Sequence, residues 1–442
     1  MMLNILIPED IPSGNKGEAA LFFGIAKSLS VFGQHKLTLF SLHPDEDLAS
    51  YDKYASIIDV HSLVPNHLLD GVGTFHSKLS NYIIFIGKCT AFSVLYWLLG
   101  SNCLRIMRHP AWRCFLDSDM VLMCHDSFYA PLYHGPLIFI FKTLGKPVVL
   151  FGSTILPPHT FSSRLERWLR NTTNKYFLGK SDLITLREWY SYHYLKSLGI
   201  RNVFVFPDLA FIADTAEDAD IKHIFQLEGV PESTPLCGFA FSQKEIDFAC
   251  PELPLAERRE YTLTCLAALL DHITGVLGMH AVFIPHAIGP TPRVDDRIAA
   301  DWVRERCANK KNVTIIRNNY SQSQLRGMAK RLNITVGTRL HFTIDALCHH
   351  VPSLLITHTG EYRCHGIIGD MLGQDKYVYN IENITADGLI QLFTELWKNH
   401  DHVKKDLTQL LPSIMAETMK HALAAKDTLD SSVSRAHNIP SY

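Results

Sequence analysis

Three cationic side chains stand where a parallel sheet would present them to a ligand: Arg187, Arg339 and His341. Arg187 follows the apolar run Asp182–Leu186 and precedes Glu188 and Ser191. Arg339 and His341 lie in Gly337-Thr-Arg-Leu-His341, after the run Ile334–Val336. A guanidinium offers a planar fork of donors that matches a carboxylate or a phosphate. An imidazole titrates near neutral pH and can give or take a proton. Thr338 reads as a helix N-cap, which predicts Arg339 and His341 in the first turn, where the helix dipole attracts anions.

Further candidates occupy equivalent places. After the first apolar run comes Glu9-Asp-Ile-Pro-Ser-Gly-Asn-Lys-Gly-Glu18, whose Gly14 and Gly17 allow tight turns and whose following helix offers free N–H groups and a positive dipole end to an anion. It has neither G-x-G-x-x-G nor Walker A spacing, so a plain strand-to-helix turn and a ligand contact both remain open readings. His286 follows His280–Pro285, and His125-Asp-Ser127 and Gly152 to Pro157 read as loops at the same rim. The pair His349-His350, with His358 and His365 downstream, lacks metal-ligand spacing, and no metal is expected. G-x-S-x-G is absent. The helix bearing Asp295, Asp296, Asp301, Arg304 and Glu305 reads as a solvated face.

The elements that position these residues alternate between short apolar runs and amphipathic stretches, the pattern of βαβ units. Strands are predicted at Asn4–Pro8, Lys36–Ser41, Met120–Cys124, Pro147–Phe151, Asp182–Leu186 and Val203–Phe206. The alternation restarts with Pro235–Phe241, His280–Pro285, Val313–Ile316, Ile334–Val336, Pro352–Thr357 and Tyr377–Tyr379. The fold class is α/β with two Rossmann-like domains: 1–214, an acidic linker at 215–234, 235–400, and a closing helix and polar tail over 401–442. In such sheets ligands meet the carboxyl ends of the strands.

The chain has 442 residues, 42 Lys and Arg against 44 Asp and Glu, and a formal net charge of −2. No global positive field exists to recruit nucleic acid, so any anion must be held by a local cluster of cations. Ten cysteines with no C-x-x-C pairing read as buried apolar groups in a reducing, cytoplasmic setting. The N-terminus reads as a first strand, not a secretory signal. The stretch 81–100 is almost long enough to span a bilayer, yet it carries Lys88 at its middle. It reads as a buried or interface-lying helix, with peripheral membrane contact as the second option.

Taken together, the segments Gly14-Asn-Lys-Gly-Glu-Ala-Ala-Leu21, Lys146 to Pro157, Asp182-Leu-Ile-Thr-Leu-Arg-Glu-x-x-Ser191, Pro207-Asp208, Phe283-Ile-Pro-His286 and Val336-Gly-Thr-Arg-Leu-His341 resemble the polysaccharide pyruvyl transferase family over about Asn4 to Gly373. The resemblance implies a fold similar to GT-B glycosyltransferases, with two domains facing across a cleft, an acceptor side at 1–214 and a donor side at 235–400. It implies transfer from phosphoenolpyruvate, as donor substrate and with no cofactor, onto a sugar, nucleotide sugar or lipid-linked saccharide to form a pyruvate ketal. Arg187, Arg339 and His341 become donor-binding and catalytic residues. Gly14, Asn15, Gly17, Glu18, His286, Thr338 and Arg363 become substrate contacts. Departures from the family pattern fall at Glu18, Cys124-His-Asp126 and Arg363. The alternatives are a nucleotide-sugar glycosyltransferase and a non-catalytic sugar-binding protein on the same fold.

Overall fold

The computed structural model describes residues 2–63, 75–124, 131–157, 163–289 and 292–437; the rim loop His125-Asp-Ser127 lies outside them. The chain forms two units. Met1–Ser13, Ala26–Pro207 and Met419–Tyr442 make the first, and Gly14–Ile25 with Asp208–Thr418 make the second.

The first unit holds seven strands: β1 (Leu3–Ile7), β2 (His35–Ser41), β3 (Ser56–Asp59), β4 (Met120–Met123), β5 (Val148–Ser153), β6 (Leu183–Leu186) and β7 (Val203–Val205). All pair in parallel, in the order β3-β2-β1-β4-β5-β6-β7. Every residue of β4, β5 and β6 is buried, as expected for parallel strands covered by helices on both faces. The edge strand β3 is absent from the sequence reading. With only Ile57 and Ile58 apolar and both ends exposed, it carries almost no burial signal.

The second unit holds β8 (Leu236–Ala240), β9 (His280–Phe283), β10 (Val313–Ile315), β11 (Ile334–Gly337), β12 (Ser353–Thr357) and β13 (Val378–Asn380), again parallel, in the order β10-β9-β8-β11-β12-β13. Each sheet therefore reverses its strand order once, between β1 and β4 and between β8 and β11, which is where α/β sheets open a crevice.

Two segments differ from the sequence reading. The stretch 215–234, read as a linker, carries the helix Asp218–Leu227, whose Ile221, Ile224 and Phe225 join the core of the second unit with Leu325, Met328 and Phe342. Its acidic residues face solvent and mask that apolar stripe. The single closing helix is two, His400–Thr418 and Lys420–His437. The break lets Thr418 be buried with the second unit and His421 with the first. There the His421 Nε2 donates to the Pro207 carbonyl at 3.0 Å, its Nδ1 lies 2.7 Å from Thr185 Oγ1, and Lys426 donates to the Val31 carbonyl.

The stretch 81–100 lies in a helix, Phe75–Leu99. Ser80–Arg105 is long and apolar enough to cross a membrane by length and composition. Its stripe Phe85, Cys89 and Phe92 instead packs into the first unit's core, where Phe92 stacks on Trp112 at 4.6 Å. Lys88 is tied to the Ser62 carbonyl at 2.6 Å.

Candidate active site

In the second unit the crevice between β8 and β11 is closed by Thr338. Its N–H donates to the Ala240 carbonyl at 2.8 Å, and its Oγ1 accepts from Ser242 N–H at 2.7 Å. The hydroxyl thus joins two strand ends and does not cap the helix. The N-cap of Leu340–Leu347 is Arg339, without a side-chain cap bond. The reading of Thr338 as cap is corrected accordingly, because its backbone still continues the strand pairing.

Arg339 lays its Nε and Nη2 along the Asp296 carboxylate at 2.5–3.2 Å. The same carboxylate accepts the N–H groups of His286 and Ala287, each at 3.0 Å. Asp296 is buried, so its assignment to a solvated face is also corrected. Asp295 caps the helix Asp296–Arg306 through Arg297 N–H, which turns Asp296 toward the strand ends, while Asp301 pairs outside with Arg317. Arg339 is about a quarter exposed, and among the described residues its Nη1 makes no hydrogen bond. A guanidinium held on one edge by a buried carboxylate keeps its second edge for a ligand.

His341 sits two residues on, largely buried, with Nε2 3.9 Å from Asp208 Oδ2. Asp208 is itself fixed by accepting Ala210 N–H at 2.8 Å. The segment Gly14–Glu18, which opens the helix Lys16–Ser28, packs against the same imidazole: a Cβ on Gly17 would lie 2.5 Å from His341 Nδ1, so any larger residue there has to displace the ring. Asn15 holds this turn by accepting Gly17 N–H and donating to Glu18 Oε1. Asn15 also bridges to Ala287, and Lys16 N–H donates to the His286 carbonyl at 3.0 Å. Gly14, Asn15, Gly17, Glu18, Thr338, Arg339 and His341 therefore belong to one neighbourhood of the second unit.

His286 is there through its backbone only. Its Nδ1 lies 3.2 Å from the Ile284 carbonyl, its Nε2 3.4 Å from Asp345, and its ring packs edge-on to Phe342. Asp345 in turn accepts from Gln322 and Arg326, and Arg326 donates to the carbonyls of Ala210 and Phe211. The ring thus ties the end of β9 to the helix Leu340–Leu347. Arg363 is also engaged: its Nε and Nη2 each meet Glu361 at 2.6 Å on the segment after β12. Burial alone would raise the Glu361 carboxyl, but the Arg363 charge and hydrogen bonds hold it down at about 2.

In the first unit Arg187 is fully buried, with Nε donating to Thr154 Oγ1 at 2.8 Å. Glu188 caps the helix Trp189–Ser197 by accepting both N–H and Oγ–H of Ser191, whose Oγ also accepts Ile155 N–H at 2.8 Å. Burial pushes the Glu188 carboxyl up, against the opposing pull of Ser191 and Arg187. The crevice between β1 and β4 is closed by Glu9, which accepts Cys124 N–H at 2.5 Å and meets His134 Nε2 at 2.5 Å.

Four buried carboxylates escaped the sequence reading as site residues: Glu9, Asp208, Asp296 and Asp345. Two had a local signal, an acid directly after a proline at the end of an apolar run: Pro8-Glu9 and Pro207-Asp208. Asp296 and Asp345 lie inside helices and had none.

The sequence profile described as polysaccharide pyruvyl transferase matches residues 15–360. The amylovoran biosynthesis protein AmsJ of Erwinia amylovora is 21% identical, over 92% of this chain and 95% of that protein. Among solved structures, the UDP-GlcNAc 2-epimerase from Neisseria meningitidis bound to UDP-GlcNAc superposes with a TM-score of 0.59, at 13% identity, covering 96% of this chain and 99% of that one. HepE of Anabaena, solved with UDP and glucose, gives 0.55 at 11% identity, covering 97% and 100%. At these identities the structural likeness establishes the GT-B-type fold.

Proposed function

The chain belongs to the polysaccharide pyruvyl transferase family, and from that premise we propose that it transfers the pyruvyl group of phosphoenolpyruvate to two hydroxyls of a sugar, as a saccharide or its nucleotide- or lipid-linked precursor, forming a pyruvate ketal. The observation that carries the reading is the strand-to-helix turn after β11. There an arginine fixed on one edge by Asp296 and open on the other stands two residues from a histidine backed by Asp208.

The donor is a small anion with a carboxylate and a phosphate carried on an enol oxygen. The open Nη1 edge of Arg339 takes one anionic group. Proton transfer to C3 makes a methyl group and leaves C2 electrophilic. One sugar hydroxyl adds to C2, the C2–O bond to phosphate breaks, and the second hydroxyl closes the ketal. Of the two hydroxyl protons, one balances the new C–H bond and one leaves with phosphate. His341 is the proton carrier within reach of these steps, with Asp208 Oδ2 3.9 Å from its Nε2. Arg187, oriented by Thr154, is the third residue in the proposal, and Glu18 and Asn15 are proposed acceptor contacts.

The test is phosphate release from phosphoenolpyruvate that depends on a sugar acceptor. Arg339→Ala and His341→Ala are each expected to cut turnover by about a hundredfold or more. Unchanged turnover in both would overturn the roles. Release of a nucleotide from a nucleotide sugar, with no phosphate from phosphoenolpyruvate, would establish glycosyl transfer instead. A melting point raised by phosphoenolpyruvate is the matching binding readout.

A further inference from the structure

We propose that the first unit docks on the surface of an anionic lipid bilayer through the outer faces of two helices, Phe75–Leu99 and Arg164–Leu178. On the first, the side opposite the packed stripe exposes Ile83, Val94, Trp97 and Leu98, with Trp97 81% exposed. On the second, the opening turns are exposed all round, including Leu165, Trp168 and Leu169. Large apolar side chains clustered on faces that meet no core have their counterpart outside the monomer. Right-handed crossovers put both helices on one side of the first sheet, and the helix Pro131–Thr143 packs between them.

Charge selects the partner. Residues 75–113 contain five Lys and Arg and no Asp or Glu, and 164–180 contain five Lys and Arg and one Glu. These segments carry a net +9 on a chain whose total is −2. Two copies meeting through this face would oppose like charges. A bilayer instead offers acyl chains to the leucines, an interfacial layer to the tryptophans and anionic headgroups to the cations. The face lies on the surface and does not span, because Phe85, Cys89 and Phe92 remain in the protein core. The inference is independent of the proposed reaction.

Sedimentation with sucrose-loaded vesicles tests it on the full chain. The protein is expected to pellet with phosphatidylglycerol–phosphatidylcholine vesicles, to stay in solution with pure phosphatidylcholine, and to release as salt rises. Trp97→Glu with Trp168→Glu is expected to weaken partitioning at least about tenfold. Arg164→Glu with Arg167→Glu, on turns that touch no core, is expected to weaken it on the order of a hundredfold at an unchanged melting point. No pelleting with anionic vesicles, or unaltered pelleting of both variants, overturns the proposal. So does a native dimer in sedimentation velocity that Trp97→Glu with Trp168→Glu dissociates, which would assign the face to a second copy.

Discussion

The two sheets reverse strand order at equivalent places, yet the side chains that close the two crevices differ in kind. Between β1 and β4 the closing group is the carboxylate of Glu9, backed by His134. Between β8 and β11 it is the neutral hydroxyl of Thr338, and the charge comes one residue later, on Arg339. Sheet topology decides where a ligand meets the protein, while one closing side chain decides which charge it meets there. The first unit presents an acid-floored crevice and buries its cation Arg187 behind Thr154. The second leaves an arginine edge open.

The largest test of that contrast is Asp296→Ala. It strips Arg339 of its anchor and leaves the N–H groups of His286 and Ala287 unmatched, so denaturant unfolding should register a loss of about 3–5 kcal/mol. A loss below about 1 kcal/mol would mean that the second crevice is not built around this carboxylate.

Acid titration comes next, because two glutamates respond with opposite sign. Glu361 is lowered from its ordinary 4.5 to about 2. Its stabilisation is complete above 4.5 and is lost as pH falls toward 2, on the order of 3 kcal/mol in all. Glu188 is raised. Its contribution is complete below 4.5 and is lost as pH rises through its folded value. Glu361→Gln should flatten the acid limb of a stability–pH curve, and Glu188→Gln should leave that limb in place.

Gly17→Ala inserts a methyl group against the His341 ring. Overpacking of this kind costs about 1–3 kcal/mol, and turnover should fall further than stability because the displaced group is the imidazole. Equal turnover in this variant would separate the Gly14–Glu18 turn from the chemistry. The smallest effect is Thr338→Val, which removes the acceptor of Ser242 N–H for about 1–3 kcal/mol; Thr338→Ser should restore it.

Much of the fold was legible because buried parallel strands are short apolar runs, and β4, β5, β6, β11 and β12 read plainly. Arg187 drew attention for the same reason, since it follows such a run directly, and Arg339 and His341 because they lie within five residues of one. Their partners were not. Asp296 lies among acids that do face water, and only the folded turn separates it from Asp301. His286 sits at the right strand end, but ring direction depends on Asp345, distant in sequence. The helix Asp218–Leu227 was hidden by its own acidic outer face, and Thr338 by a hydroxyl that suits a cap and a strand clasp equally.

The clasp of His421 on Thr185 and Pro207 has a consequence for biosynthesis. A ribosome delivers β1 to β7 by residue 205, but the buried His421, Ala422 and Ala425 that complete their packing emerge more than two hundred residues later, after every strand of the second sheet. During that interval the nascent first unit displays the apolar surface that the last helix will cover, the condition in which chaperones engage a chain. The sheet that is synthesised first is the one completed last.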